Sequence, residues 1–311
     1  MEFLNAILVS PIIEIYEYPL FFLEVVIGGL LAGVMYSLVA LGFVLIFKAS
    51  GVFNFAQGAM VLFAALTLVG LIERGFPIWL AIISTIIVMI LLAIAVEKFV
   101  LRKLVNQEAI ILFMATIGLS YFLDGLGQTV WGSDVKILDL SIPSKPMEFG
   151  GILINQFDLV AAVTAGSLVA ILAIFFQKTR IGRALRAVAD DHQAAMSVGI
   201  PLKTIWAIVW SVAGLVGLVA GIMWGTKLGV QFTLTLVALK ALPVLILGGF
   251  TSIPGAIIGG LIIGMGEKVA EVFWGTAFGG AIEDWFAYML ALVFLLFRPQ
   301  GLFGEKIIER V

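Results

Sequence analysis

Along this chain, apolar residues run in unbroken stretches of about twenty, the length a helix needs to cross the hydrocarbon core of a bilayer. Such stretches cover roughly 22–47, 52–71, 77–98, 109–131, 157–177, 203–226, 232–250, 253–275 and 281–298. They are continuous and do not alternate, which favours helices over the strands of a membrane barrel. In lipid every backbone N–H and C=O must be paired inside the structure, and a helix does this by itself. Several stretches are interrupted by Gly, Pro or polar side chains, so one or two are expected to be broken or re-entrant. The pattern predicts an all-α polytopic membrane protein with about eight to nine transmembrane helices, folded as a single domain over 1–311.

One polar interval stands out. Residues 183–201 read RALRAVADDHQAAMSVGIP, and with their flanks, 178–203, they form a helix-forming insert between two spans. Ala194 and Ala195 are small and leave a flat surface on which another protein can pack. Gly199 is suited to end a helix because it accepts positive φ, and Pro201 prevents continuation. Thr204 is placed to start the next helix. The expectation is a short helix ending at a sharp turn outside the membrane. Residues 1–20 carry Glu14 and Glu17 among Ile, Tyr and Leu. They fit a short helix at the interface or an ordered tail.

Lysine and arginine orient the chain, since they gather on the cytoplasmic side. Basic residues cluster at Lys98, Arg102 and Lys103, in the insert (Lys178, Arg180, Arg183, Arg186, Lys203), and at Arg298, Lys306 and Arg310, with Lys48 added. The loop at 132–156 sets Asp134, Asp139 and Glu148 against Lys136 and Lys145 and suits the opposite side. With nine spans, the N-terminus is outside and the insert and C-terminus are cytoplasmic.

The chain is 62% hydrophobic and 12% charged, with a net charge of −2, against about 45–50% and about 25% in soluble domains. No basic footprint for nucleic acid is present. There are no cysteines and one histidine, His192, which excludes thiolate or His-rich metal sites. No phosphate-binding G-x-x-x-x-G-K-[ST] loop occurs, no Ser–His–Asp set is recognisable, and no cleaved signal peptide is expected.

Glycine pairs at helical spacing, Gly29 and Gly33, Gly217 and Gly221, Gly255 and Gly259, Gly260 and Gly264, allow close helix packing in lipid. A weak internal repeat relates Leu38–Leu41 to Leu236–Leu239. Polar residues within spans are costly and mark possible paths. Asn54 and Gln57, three apart, share a helix face, as do Thr116 and Ser120, four apart. Lys240 sits a turn before Pro243, where it could meet a carboxylate or reach the interface. Glu267 and Glu271 share a face beside Lys268, and an internal charge balance accounts for them better than a substrate contact.

Within the insert, Gln193-Ala194-Ala195 followed by Gly199 resembles the E-A-A-x-x-x-G coupling motif of ABC importer permeases, with Gln193 in place of Glu. More narrowly, the chain resembles the branched-chain amino acid (Liv-type) permease family. Five stretches carry that resemblance: GVFNFAQGAM at 51–60, ATIGLSYFL at 115–123, RALRAVADDHQAAMSVGI at 183–200, LKALPVLILGGFTSIPGAIIGGLIIG at 239–264 and FRPQGLFGE at 297–305. The resemblance implies a permease subunit that translocates branched-chain amino acids by alternating access. It implies two cytoplasmic ABC ATPase subunits that bind ATP and Mg, with no cofactor in this chain. A second permease subunit, related or identical, and a periplasmic binding protein would complete the importer in a bacterial or archaeal inner membrane. The coupling residues it implies are Arg183, Arg186, Asp190, Asp191, Gln193, Ala194, Ala195 and Gly199. Arg183 and Arg186 would meet acidic ATPase side chains and the two aspartates basic ones. Gln193 for Glu removes one charge that the family pattern supplies.

Similar frameworks carry urea, amides and aromatic or other carboxylates, so the substrate stays open at this point. A self-sufficient ion-coupled carrier would need intramembrane ligands, for which Lys240 and Glu267 are the available residues. A membrane scaffold would need a polar-free interior.

Overall fold

A computed structural model of the chain describes residues 5, 7–104, 107–143 and 145–304; Lys306 and Arg310, two of the basic residues used for orientation, lie outside them. The described residues form α1 (Ser10–Glu17), α2 (Pro19–Ser50), α3 (Gln57–Glu73), α4 (Ile78–Phe99), α5 (Ala109–Trp131), α6 (Gln156–Lys178), α7 (Arg180–Asp190), α8 (His192–Ser197) and α9 (Leu202–Leu228). After a 3-10 turn at Phe232–Leu236 come α10 (Val237–Lys240), α11 (Leu242–Gly248), α12 (Ile253–Phe278) and α13 (Glu283–Phe297). Among the described residues, five helices are long and apolar enough to cross a membrane: α2, α4 with the turn that follows it, α5, α6 and α9. A bent pair, Phe232–Gly248 and Ile253–Phe278, with 114° between its parts, brings the number to six when it is counted as one broken span.

The remaining expected spans are modified for physical reasons. The 52–71 stretch yields α3, 17 residues long, because residues 51–56 form an irregular break. At about 1.5 Å per residue α3 is slightly shorter than the ~30 Å core. It is buried from Gln57 through Gly70, so it is enclosed by protein and need not match the lipid, as a helix apolar on all sides should be. The 232–250 stretch is broken at Ala241 beside Pro243 and again at Gly249, where φ is +99°. The 281–298 stretch gives α13, with 15 residues. At the N-terminus α1 has eight residues, too short to cross at that rise, and it exposes Ile12 and Tyr16. The Trp274 indole donates to the Ile7 carbonyl at 3.0 Å, which ties down the segment before α1.

The chain divides into two compact units. The first comprises Met1–Ser37, Ser141–Ser167 and Lys240–Val311. At its centre two of the predicted glycine pairs meet each other. A methyl built on Gly33 would stand 2.5 Å from the Gly260 carbonyl oxygen, and one on Gly29 would stand 2.7 Å from that of Gly264. Only glycine lets these backbones approach so closely. Ser37 Oγ donates to the Ile257 carbonyl across the same seam at 3.1 Å. This unit also holds a small hairpin that the hydrophobic pattern did not predict, β1 (Pro146–Phe149) paired antiparallel with β2 (Ile152–Asn155) in the register Phe149↔Ile152. Its signal was the Gly150-Gly151 pair, both at positive φ, as a two-residue hairpin turn requires. Glu24 accepts from the Leu153 backbone N–H at 3.0 Å and fixes the hairpin in place.

The second unit comprises Leu38–Leu140 and Leu168–Leu239. Here α3 is packed among α4, α5 and α9. Gly221 of α9 lies against α3, where a methyl would meet the Val61 carbonyl oxygen at 2.7 Å. At the far end of α9, Val230 bridges to Lys136, and Lys136 pairs with Glu73 at the end of α3. At the near end, α9 starts beside α8. The insert and the 132–140 segment therefore lie at opposite ends of a 27-residue helix. The two Leu-Val-Ala-Leu segments do not share a local structure: Leu38–Leu41 is buried within α2, whereas Leu236–Leu239 straddles the junction of the 3-10 turn and α10.

Candidate coupling site and transport path

The polar insert folds as two helices. Thr179 caps α7, its side chain accepting from the Gly182 N–H at 3.2 Å. The buried residues of α7 are Gly182, Leu185 and Val188, three apart on one face, with charges on the other. Arg186 turns back toward the preceding span: its Nη1 donates to the Phe176 carbonyl at 2.8 Å and its Nη2 to that of Gln177 at 3.4 Å. These are carbonyls of the last turn of α6, where a helix leaves acceptors unpaired and favours a cation. Arg183 is exposed and makes no side-chain hydrogen bond or ion pair among the described residues. Of the two arginines, it is the one left open to a partner.

Asp191 stands between α7 and α8. Its Oδ1 accepts from the backbone N–H of Gln193 at 2.8 Å and of Ala194 at 3.0 Å. Those two bonds hold its carboxyl below the usual carboxylate range. Asp191 is thus the cap of α8, while Asp190 remains exposed. His192 brings Nε2 within 3.2 Å of the Ala49 carbonyl at the end of α2, and Trp206 of α9 donates to the same oxygen at 2.9 Å. The two rings meet edge to face with centroids 6.3 Å apart. The start of α8 is therefore anchored to α2 and α9.

The outer surface of α8 is free of such ties. Gln193, Ala194, Met196, Ser197 and Val198 are exposed, whereas Ala195 is 3% exposed. Gly199 follows at φ +86° with nothing within 4 Å of the position a Cβ would take. Its N–H donates to the Met196 carbonyl at 3.0 Å, and that of Ile200 to Ala195 at 3.0 Å. This is the glycine-terminated helix end the spacing predicted. Pro201, not Thr204, is the cap position of α9; Thr204 lies exposed within the first turn. Of the two alanines expected to form an outward surface, Ala194 is exposed and Ala195 is buried, at 3% exposure.

Three of the expected path residues converge at the break before α3. Asn54 and Gln57 are fully buried and Thr116 is 3% exposed. Asn54 accepts from the Ala56 N–H at 3.1 Å and donates to Gln57 Oε1 at 3.4 Å, and Gln57 Nε2 donates to the Ala213 carbonyl at 3.4 Å. Thr116 Oγ1 accepts from the Phe55 N–H at 3.0 Å. Asn54 and Thr116 thereby satisfy buried backbone groups of the break, as burial requires. Ser120 is half-buried one turn along α5 and stands outside this network.

Lys240 lies elsewhere, in the first unit, among carboxylates from two helices. Its Nζ is 2.8 Å from Asp284 Oδ1, 3.4 Å from Glu283 Oε1 and 3.8 Å from Glu267 Oε1. Tyr36 donates to Glu267 at 2.7 Å, and Lys268 pairs with Glu283 at 3.0 Å. Glu271 accepts from the N–H groups of Ala281, Ile282 and Glu283 and so caps α13. The Lys240 ammonium is already met by three carboxylates. Sequence reasoning found the lysine and Glu267 but missed Tyr36, Glu283 and Asp284, which stand far from Lys240 in sequence.

Residues 25–298 match the family model described as branched-chain amino acid transport system / permease component. The chain belongs to this permease family. It is 30% identical over 313 residues to the high-affinity branched-chain amino acid transport system permease protein BraD of Pseudomonas aeruginosa, covering 96% of this chain and 99% of that one. It is 29% identical to the corresponding protein LivH of Salmonella typhimurium, over 95% of this chain and 99% of the relative. A probable branched-chain amino acid transport permease protein LivH of the archaeon Methanocaldococcus jannaschii is 27% identical, over 89% and 91% of the two chains. The permease is thus a multi-pass protein of the cytoplasmic membrane and a transport component rather than an enzyme.

Proposed function

We propose that this permease translocates branched-chain amino acids inward by alternating access, driven by two cytoplasmic ATPase subunits that bind ATP and Mg. A second permease, related or identical, completes the path, and a periplasmic binding protein delivers the substrate. The observation that carries this reading is α8, a short helix capped by Asp191, ended by Gly199 and exposing Gln193, Ala194, Met196 and Val198. It is tied to α2 and α9 through Ala49, so a push on it is passed to both spans. That is a two-state element biased from outside. Arg183 and Asp190 supply the charges that meet the ATPase, and Arg186 and Asp191 hold the two helices in shape. The path runs past the break held by Asn54, Gln57 and Thr116, with Ser120 on the same face of α5. Lys240 serves the ionic cluster and is not free to anchor a substrate carboxylate.

The test is uptake of labelled leucine by proteoliposomes containing the assembled importer with internal ATP, for wild type and Ala194→Trp. Uptake that depends on ATP and falls at least tenfold in an assembled variant supports the reading. Uptake by this chain alone, driven by a proton or sodium gradient, would overturn it in favour of an ion-coupled carrier.

A further inference from the structure

A groove runs between α4 and α9 in the second unit, with a cavity volume of about 630 Å³. One wall is Ile86, Ile90 and Ile94, and the other is Ile208, Val212 and Leu215. Ile90 and Ile94 are 40% and 45% exposed, so the groove opens outward from the helices that form it. From Ile86 to Glu97 is eleven steps along α4, about 16 Å at ~1.5 Å per residue. That is about one leaflet of a ~30 Å hydrocarbon core.

The end of the groove nearest α8 is charged. Arg102 grips Glu97 with two bonds, Nε to Oε1 at 3.0 Å and Nη2 to Oε2 at 2.6 Å. This fixes the guanidinium at the mouth and leaves three of its five N–H donors unused. Lys203 also lines the mouth, is exposed, and makes no side-chain hydrogen bond or ion pair among the described residues. With Glu97 neutralised by Arg102, the mouth carries one net positive charge. A second cavity of about 440 Å³ shares Glu97, Arg102 and Lys203 and extends to Met196 and Gly199 at the end of α8.

We propose that this groove is a binding site for an anionic phospholipid, one acyl chain lying between α4 and α9 and the phosphate held by Lys203 and Arg102. The occupant follows from depth and charge. The walls belong to two membrane-spanning helices, where an acyl chain is the apolar partner at hand, and the mouth selects a negative headgroup, as basic pockets between spans do. The headgroup would sit beside the Gly199 turn, so an anionic lipid would brace the helix that couples to the ATPase. That last link rests on the function proposed above; the lipid site does not.

Native mass spectrometry of the purified importer, exchanged into phosphatidylcholine or an equal mixture of phosphatidylcholine and phosphatidylglycerol, reads the site directly. Wild type should retain phosphatidylglycerol preferentially. Lys203→Glu, a surface change at an exposed position, should abolish the preference, and Ile208→Trp should displace the lipid by filling the groove. Leucine uptake in the mixed lipid should exceed that in phosphatidylcholine about threefold, with no such gain in Lys203→Glu. Equal retention of both lipids, or a preference unchanged in Lys203→Glu, would overturn the proposal. So would disulfide cross-linking of an Ile94→Cys variant to a second copy of this chain, since a protein would then fill the groove. Retention of phosphatidylglycerol with no uptake in any lipid would sink the transport reading and leave the lipid site standing.

Discussion

The Arg186 guanidinium donates to the Phe176 carbonyl at 2.8 Å, across ten residues of sequence. It clamps the amphipathic helix α7 onto the last turn of the span before it. A hydrogen bond from a charged group to an otherwise unpaired carbonyl contributes on the order of 1 kcal/mol at a partly wet site. Arg186→Gln should loosen α7, speed amide exchange over 180–190 several-fold, and lower ATP-driven uptake. Arg183→Gln should leave that exchange unchanged while weakening ATPase association. Equal exchange in both variants would remove the distinction between clamp and contact.

The neighbouring alanines of the insert separate docking from folding. Ala194 faces out and Ala195 faces in, at 3% exposure. Ala194→Trp should change the folding free energy by no more than about 0.5 kcal/mol and weaken, without abolishing, co-purification with the ATPase. Ala195→Trp should destabilise the chain itself by about 1–3 kcal/mol through overpacking. Thermal melts in detergent alongside pull-downs check both.

The glycine seam predicts a sharp positional contrast within one helix. Gly28→Ala meets nothing within 4 Å and should gain about 1 kcal/mol of helix propensity. Gly33→Ala puts a methyl 2.5 Å from the Gly260 carbonyl oxygen and should cost about 1–3 kcal/mol. Thermal unfolding of the two variants, compared at equal expression, measures the difference.

The ionic cluster predicts compensation. Lys240→Met strips one cation from beside Glu267, whose side chain is 2% exposed. Breaking a buried pair costs about 3–5 kcal/mol; Lys240 keeps 27% exposure, so the loss should fall at or below the lower bound. Adding Glu267→Gln should recover most of it, because the second change removes the stranded charge. A double variant no better than Lys240→Met would show that Glu267 is not the partner that matters.

Asp191 gives α8 a pH dependence of known sign. Its folded-state carboxyl titrates below the ordinary aspartate value because two backbone N–H groups bind the charged form. The cap's contribution is complete above the unfolded value of about 3.9 and is lost as pH falls through the lower folded one. Exchange protection of the Gln193 and Ala194 amides, corrected for intrinsic rates, should be flat from neutral pH to about pH 5 and fall only below the unfolded value. Asp191→Asn should retain the cap without the pH dependence, and Asp191→Ala should lose it at every pH.

The membrane class, most helix boundaries, the turn at Gly199 and the family were legible in residue order alone. Uninterrupted apolar length, glycine after a short polar helix and five matching stretches are all local signals, and local signals survive without coordinates. The glycine pairs could be seen but not matched: that Gly29 and Gly33 face Gly260 and Gly264 depends on contacts more than two hundred positions apart. Tertiary structure also decided which charges are spent. Arg186, Asp191 and Lys240 looked available as lone residues in a string, yet each is held by backbone or carboxylate groups brought to it by folding, while Arg183, Asp190 and Lys203 are left outward. A charge's partner is set by distances of a few ångströms in space, and those are not written in the order of the chain.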